Sequence, residues 1–353
     1  MTNKIKIGKI DSSDKKIKLK LFQIELALEK RVIFDIRRRQ KRIPGLKQDS
    51  LKYTAYWGNG SLTTGCRDCC LKGKWAQIRT TSKCNTNCIF CYYYDRKESQ
   101  LWESIPKGLY CLDQGNRFFE ERDMRLFFEV QGEKHIKGAA WLFFEPLMEL
   151  DKIPSLMKFI HNKGYYQWLY TNGILATEDN LKILRDAGLD EIRFNLAATN
   201  CSSQVIKHMK IARKYFKFLC IESPMFTGFF NSFIKKKKEI LDTGVDHIHL
   251  AELQIFSSTI KVFKKEGPIY RYKLGYISPI KSRQLTYDLF DIAVKEGWKN
   301  VVLHDCSNEL KFYRGVHAND GGFSFGVCEY GKLMELPDSF YEEVLRRDDL
   351  EWG

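Results

Sequence analysis

Between residues 139 and 253, short apolar runs alternate with amphipathic stretches, and each stretch is closed by glycine or a polar turn. Residues 139–144 (Ala-Ala-Trp-Leu-Phe-Phe) read as a buried strand. The helix after them carries Ile153, Leu156, Met157 and Ile160 on one face and stops at Gly164. The unit recurs: strand 165–170, a helix with Leu181, Leu184 and Ala187, strand 191–197, helix 202–215, strand 217–222, helix 231–243 and strand 247–253. Residues 75–81 supply an earlier strand. Continuous apolar strands separated by helices predict a parallel sheet covered by helices, and six such strands fit a partial (β/α)6 barrel in the α/β class.

The flanks follow other rules. Residues 14–42 read mainly as helix, with Ile17, Leu21, Ile24 and Leu28 stepping along one stripe, and Ile43-Pro44-Gly45 breaks it. After 255 the pattern loosens into extended or irregular chain at 256–283. A helix at 283–296 (Leu285, Leu289, Ile292) and a strand at 300–304 follow. Residues 315–336, with Gly321-Gly322 and Cys328, read as a hairpin or loop, and 338–350 as a charged helix. The expected division is a basic helical N-terminal extension at 1–60, a core at 61–255 and a C-terminal extension or cap at 256–353.

Composition narrows the setting. The 353 residues are 44% hydrophobic and 14% aromatic, enough for a large core. No apolar run nears the roughly 20 residues of a membrane helix, and the start lacks the apolar segment of a signal peptide, so no membrane and a cytoplasmic location are expected. The net charge of +14 is uneven: residues 1–50 hold 15 Lys/Arg against 6 Asp/Glu. Such an excess suits nucleic acid, an acidic partner, an anionic substrate or only a solvated face.

Eleven cysteines are many for a reducing compartment, and six fall in two clusters. Clustering points to metal ligation, since a disulfide framework spreads its cysteines through a short secreted chain. In Lys83-Cys84-Asn85-Thr86-Asn87-Cys88-Ile89-Phe90-Cys91, three thiols share a loop that Asn and Thr favour. Thiolates suit iron–sulfur clusters and zinc. Structural zinc wants four protein ligands, whereas three in one loop suggest a cubane with one iron left open. Cys66, Cys69 and Cys70 supply a second iron–sulfur cluster or a zinc ion, or else one substrate-facing thiol beside two structural ones. Cys306, after His304 and Asp305, is a distant ligand of that second centre, a hydrogen-atom donor to a substrate radical, or an inert buried thiol. Parallel α/β folds place chemistry at the carboxyl ends of their strands, which gathers Cys84, Cys88, Cys91, Glu145, Asn172, Asn195, Glu222 and Glu252 at one rim.

Cys-x3-Cys-x2-Cys with Phe90 before its last cysteine resembles the signature of radical S-adenosylmethionine (SAM) enzymes. Glu222-Ser223-Pro224, Leu250-Ala251-Glu252-Leu253 and Val302-Leu303-His304-Asp305-Cys306 resemble a family described as related to the pyruvate formate-lyase activating enzyme. The likeness runs from about 65 to 315 and implies the same partial barrel. It implies that Cys84, Cys88 and Cys91 hold a [4Fe–4S] cluster whose open iron takes SAM. An electron, from a donor such as flavodoxin or ferredoxin, then cleaves SAM to a 5′-deoxyadenosyl radical. Phe143-Phe144-Glu145-Pro146 stands where the family has Gly-Gly-Glu-Pro, so Glu145 is the expected anchor of the SAM amino group, or a helix N-terminal charge. Asn172 and Asn195 are expected near ribose or methionine, though Asn172 also suits a turn. Phe90 is expected near adenine, and Glu222 and Glu252 beside SAM or substrate.

Substrate is open among a peptide or protein, RNA and a small anionic metabolite. The aromatic content and the insertion at 92–138 favour a peptide or protein. The rival class is a non-catalytic zinc or iron–sulfur protein that binds nucleic acid.

Overall fold

The structure, a computed structural model, describes residues 15–48, 53–91, 105–112, 118–256, 259–273 and 276–318. Helix α1 (Lys15–Gln40) leads to the short strands β1 (Lys47–Gln48) and β2 (Ala55–Trp57). A π-helical turn (Gly65–Cys70) and β3 (Trp75–Arg79) follow. Next come β4 (Tyr110–Leu112), β5 (Phe118–Phe119), α2 (Glu121–His135), β6 (Gly138–Trp141) and α3 (Ile153–Asn162). The alternation then continues through β7 (Tyr166–Thr171), α4 (Glu178–Asp186), β8 (Glu191–Phe194), α5 (Ser203–Ala212), β9 (Phe218–Met225), α6 (Thr227–Leu241) and β10 (His247–Glu252). The chain ends with β11 (Ile269–Tyr272), β12 (Tyr276–Pro279), α7 (Ile280–Glu296), β13 (Val302–Cys306) and α8 (Asn308–Ala318).

One sheet takes the order β1-β2-β13-β10-β9-β8-β7-β6-β3-β4-β5. From β3 to β13 every neighbouring pair is parallel. The strands β3 and β6–β10 are the expected partial (β/α)6 barrel, and β13 adds a seventh parallel strand from a stretch that looked separate. Antiparallel β2 covers the β13 edge and antiparallel β4 covers the β3 edge. The barrel is therefore open among the described residues.

The two faces of the sheet differ. Ile78, Trp141, Leu169, Ile192, Ile221, Ile248 and Leu303 point outward into a core shared with the helices, where Ile153, Leu156, Met157 and Ile160 of α3 are fully buried. The helices begin as their sequences direct: Thr177 caps α4 through the Asn180 amide (3.4 Å), and Ser202 caps α5 through Val205 (3.3 Å). The inward face instead carries Trp168, Glu191, Arg193, Cys220, His247, His249 and His304, all buried. Strand periodicity explains this, since alternate residues face opposite sides.

Beyond 255 the sequence reading is corrected in detail. Residues 269–272 and 276–279 form an antiparallel pair, β11 with β12, and α7 begins at Ile280 because Pro279 supplies an extended entry. Residues 308–318 are helix, where a loop was expected from 315. Gly321-Gly322, Cys328, the tail helix at 338–350 and residues 92–104 and 113–117 of the insertion lie outside the described residues. No described helix is long and apolar enough to cross a membrane.

Candidate active site

The loop after β3 brings Cys84, Cys88 and Cys91 to one wall of a cavity of about 220 Å³ at the carboxyl ends of the strands. All three are half-buried. The loop is shaped locally: the Thr86 hydroxyl lies 3.2 Å from Cys84 Sγ and 3.4 Å from Cys88 Sγ, and the Cys91 amide donates to Cys88 O (2.9 Å). Burial pushes the Cys88 thiol up to about 11, against the Thr86 hydroxyl, which lowers it. No charged side chain is among the described residues lining the cavity. Three convergent thiols in an uncharged pocket fit a thiophilic cluster, which displaces their protons on binding.

Asn172, at the end of β7, fastens this loop. Its Nδ2 donates to Asn85 Oδ1 (2.6 Å) and lies 4.0 Å from Cys84 Sγ, while its Oδ1 accepts from the Ile174 amide (3.0 Å). Asn195, after β8, also lines the cavity, and its Oδ1 accepts from the Ala198 amide and the Ser223 hydroxyl, both at 3.3 Å. Phe90 lines it too and packs against Phe226 with ring centres 5.8 Å apart. Tyr170 completes the inner wall.

Phe143 and Phe144 are the unexpected part. Their φ angles are 69° and 53°, the left-handed region that glycine takes without strain. Two aromatic residues thus hold a backbone shape that glycine takes more readily. Both line the cavity.

Glu145 is placed one step below. It is fully buried and does not line the cavity. Its carboxylate accepts from the Asn172 amide (2.7 Å), the Thr171 hydroxyl (2.9 Å) and the Leu147 amide (3.2 Å). Burial raises it to about 7 in spite of these three donors. As it stands, Glu145 joins the end of β7 to the turn after β6.

The other expected site residues separate. Glu222 pairs with Arg193 (2.8 Å) and retains 22% side-chain exposure. Glu252 is buried in a different network, with the Tyr270 hydroxyl (2.5 Å), the Asn308 amide (2.8 Å) and Arg283 (3.5 Å). Cys306 is buried opposite Ala251 of β10 and does not line the cavity. Cys69 and Cys70 pack with Trp75, Ala140 and Trp168, while Cys66 packs with Leu62 and Val302. The four thiols Cys66, Cys69, Cys70 and Cys306 are not drawn to one point.

A polar group deep in the barrel escaped the sequence reading. Arg193 is held by Glu191 (2.6 Å), Glu222 (2.8 Å) and the Tyr170 hydroxyl (2.9 Å), and its guanidinium lies over the Trp168 ring at 5.3 Å. Gly65 allows the π turn to press against this pair, since a Cβ there would meet Arg193 Nη2 at 2.8 Å and Glu191 Oε2 at 2.9 Å. Its signal was the alternation Glu-Ile-Arg-Phe, Cys-Ile-Glu and His-Ile-His-Leu, which sends every polar residue inward.

Residues 78–219 match the family model described as the Radical SAM superfamily. The chain is similar to an uncharacterized protein of Methanocaldococcus jannaschii, 26% identical over 201 residues that cover 54% of this chain and 61% of the relative. It is also similar to a putative glycyl-radical enzyme activating enzyme of the same organism, 23% identical over 218 residues, covering 58% of this chain and 54% of the relative. The chain thus spans between half and two thirds of the curated relatives it matches. Among solved structures it is similar to Streptococcus suis SuiB bound to precursor peptide SuiA, at 13% identity and a TM-score of 0.47, covering 69% of this chain and 51% of that one. Methylornithine synthase is matched at 10% identity and a TM-score of 0.43, covering 77% and 82%. The family match spans the cysteine loop and the strands whose ends surround it, so this part of the chain is similar to the radical SAM superfamily, whose members work with a [4Fe–4S] cluster and S-adenosylmethionine.

Proposed function

We propose that this chain cleaves SAM reductively and uses the resulting radical to take hydrogen from a peptide or protein. The bound cluster and SAM supply the electron transfer and the 5′-deoxyadenosyl radical. In this reading Cys84, Cys88 and Cys91 would hold the cluster at the cavity wall. Asn172 keeps the loop at the rim, and Phe90 gives adenine an apolar wall. Asn195 offers its amide to ribose or methionine. Glu145 acts as a positioning residue: it fixes the turn that carries Phe143 and Phe144, whose left-handed backbone would offer the cavity a surface for SAM. A low-potential donor of the flavodoxin or ferredoxin type provides the electron.

The observation that carries the proposal is the meeting of three thiols, the Asn172 clamp and the Phe143–Phe144 turn on one uncharged cavity. A protein substrate is supported by the relative named as a glycyl-radical enzyme activating enzyme. RNA has less support, since the basic run is partly consumed within the chain. Arg37 pairs with Glu309 (2.6 Å), and Arg39 pairs with Asp288 (2.7 Å) and Asp291 (2.5 Å).

Anaerobically reconstituted protein, given SAM and dithionite, is expected to release 5′-deoxyadenosine, and Cys88→Ala to release none above background. A fully loaded cluster that never yields 5′-deoxyadenosine, with or without candidate proteins, overturns the reading. Deuterium carried from a labelled glycyl-radical enzyme into 5′-deoxyadenosine supports the protein substrate. Transfer only from labelled RNA or small metabolites replaces that substrate.

A further inference from the structure

We propose that Cys66, His249 and His304 bind a zinc-class dication inside the barrel, away from the cluster cavity. Cys66 Sγ lies 3.4 Å from His249 Nδ1 and 3.9 Å from His304 Nδ1, and the two nitrogens are 3.2 Å apart. A tetrahedral zinc with Zn–S near 2.3 Å and Zn–N near 2.0–2.1 Å requires separations of about 3.6 Å between sulfur and nitrogen and about 3.3 Å between nitrogens. The three atoms already form one face of such a tetrahedron. All three residues are buried and come from distant segments: the π turn, β10 and β13.

The hydrogen bonding around His304 orients it as a ligand. The Thr54 hydroxyl lies 3.3 Å from Asp305 O and 2.5 Å from His304 Nε2. With the hydroxyl proton on Asp305 O, Nε2 would carry the ring proton and Nδ1 would turn its lone pair toward Cys66 and His249. Metal-bound histidines characteristically spend their other nitrogen this way. A neighbouring group, Cys220 with His247 and His249, shares one ligand. Neither ring nitrogen of His247 has a hydrogen-bond partner among the described residues, whereas Nε2 of His304 meets the Thr54 hydroxyl. The first group is therefore the better site.

Charge gives an independent reason. Arg193 lies 4.0 Å from Cys66 Sγ and is paired with two carboxylates, Glu191 and Glu222. Those three groups leave one negative charge in the barrel. A dication with one thiolate adds one positive charge, and the interior becomes neutral. Buried charge left uncompensated is costly. A thiolate with two imidazoles suits zinc.

Elemental analysis and zinc K-edge X-ray absorption on the full chain, prepared anaerobically in buffer containing zinc, test the proposal. About one zinc per chain is expected, with a first shell of at least one sulfur and two imidazoles. Cys88→Ala is expected to lose its iron and keep this zinc, which separates the site from the cluster. Cys66→Ser and His304→Gln are expected to lower zinc occupancy at least about tenfold. Should either variant fail to fold, the wild-type absorption spectrum still decides the ligand set. Wild-type protein without zinc, a first shell of only sulfur or only oxygen, or zinc lost in Cys88→Ala but kept in Cys66→Ser overturns the site.

Discussion

Cysteine serves two regions of this barrel in opposite surroundings. At the rim, Cys84, Cys88 and Cys91 stand half-buried on a loop, spaced by a short motif and held by one amide, Asn172. In the interior, Cys66 is buried among ring nitrogens, an arginine and two carboxylates that arrive from four separate strands. The rim gets its ligand geometry from local sequence and stays accessible. The interior gets it from the register of the strands, and access is given up for rigidity. The first arrangement suits chemistry on an incoming molecule, the second the holding of a fixed charge.

The contrast breaks first at Arg193. Arg193→Met strands Glu191 without its partner and is expected to cost about 3–5 kcal/mol, read by denaturant unfolding. Removal of the rim thiol in Cys88→Ala should leave unfolding of the cluster-free protein within about 1 kcal/mol of the parent. A loss below about 1 kcal/mol for Arg193→Met would show the interior to be no more rigid than the rim.

The next largest effect is a pH dependence. Glu145 titrates at about 7 in the fold and near 4.5 when exposed, so the folded state holds its proton more tightly. Stability from this group is complete below pH 4.5 and is lost as pH rises to about 7. The span is worth about 3 kcal/mol. Thermal unfolding is therefore expected to weaken over that window, and in Glu145→Gln this share of the slope should vanish. An unchanged slope would place the titration elsewhere.

Asn172→Ala removes the clamp between β7 and the cluster loop and is expected to cost about 1 kcal/mol. Iron should leave faster on exposure to a chelator, with little change in overall unfolding. At the small end, Lys238 and Asp242 are an exposed pair on α6 (2.7 Å). Lys238→Ala is expected to leave the midpoint of thermal unfolding unchanged.

How much could be read from the chain divides along the same line. The alternation of strand and helix was visible because each α helix carries its own apolar stripe, as Ile153, Leu156, Met157 and Ile160 do. The rim loop was visible because its three cysteines lie within eight residues. His249 and His304 were not legible as partners, because only the pairing of β10 with β13 sets them side by side. Glu252 looked like a rim residue by its strand position. It is drawn instead into the Arg283 and Tyr270 network by elements whose packing is absent from local pattern. The Phe143–Phe144 turn ran against propensity altogether, since aromatic residues rarely take positive φ.

The strand β2 that seals one edge of the barrel also sets an order of events. Its partner is β13, and Thr54 meets His304 across 250 residues of chain. At a synthesis rate of about 5–20 residues per second, the first segment waits roughly 10–50 s for the strand it must join. Until then the β13 place in the sheet is vacant, and α1, whose Arg39 is to join Asp288 and Asp291 of α7, has no partner there. Pairing over such a separation is slow to form. For most of its synthesis this protein is an open sheet with an unattached leading helix.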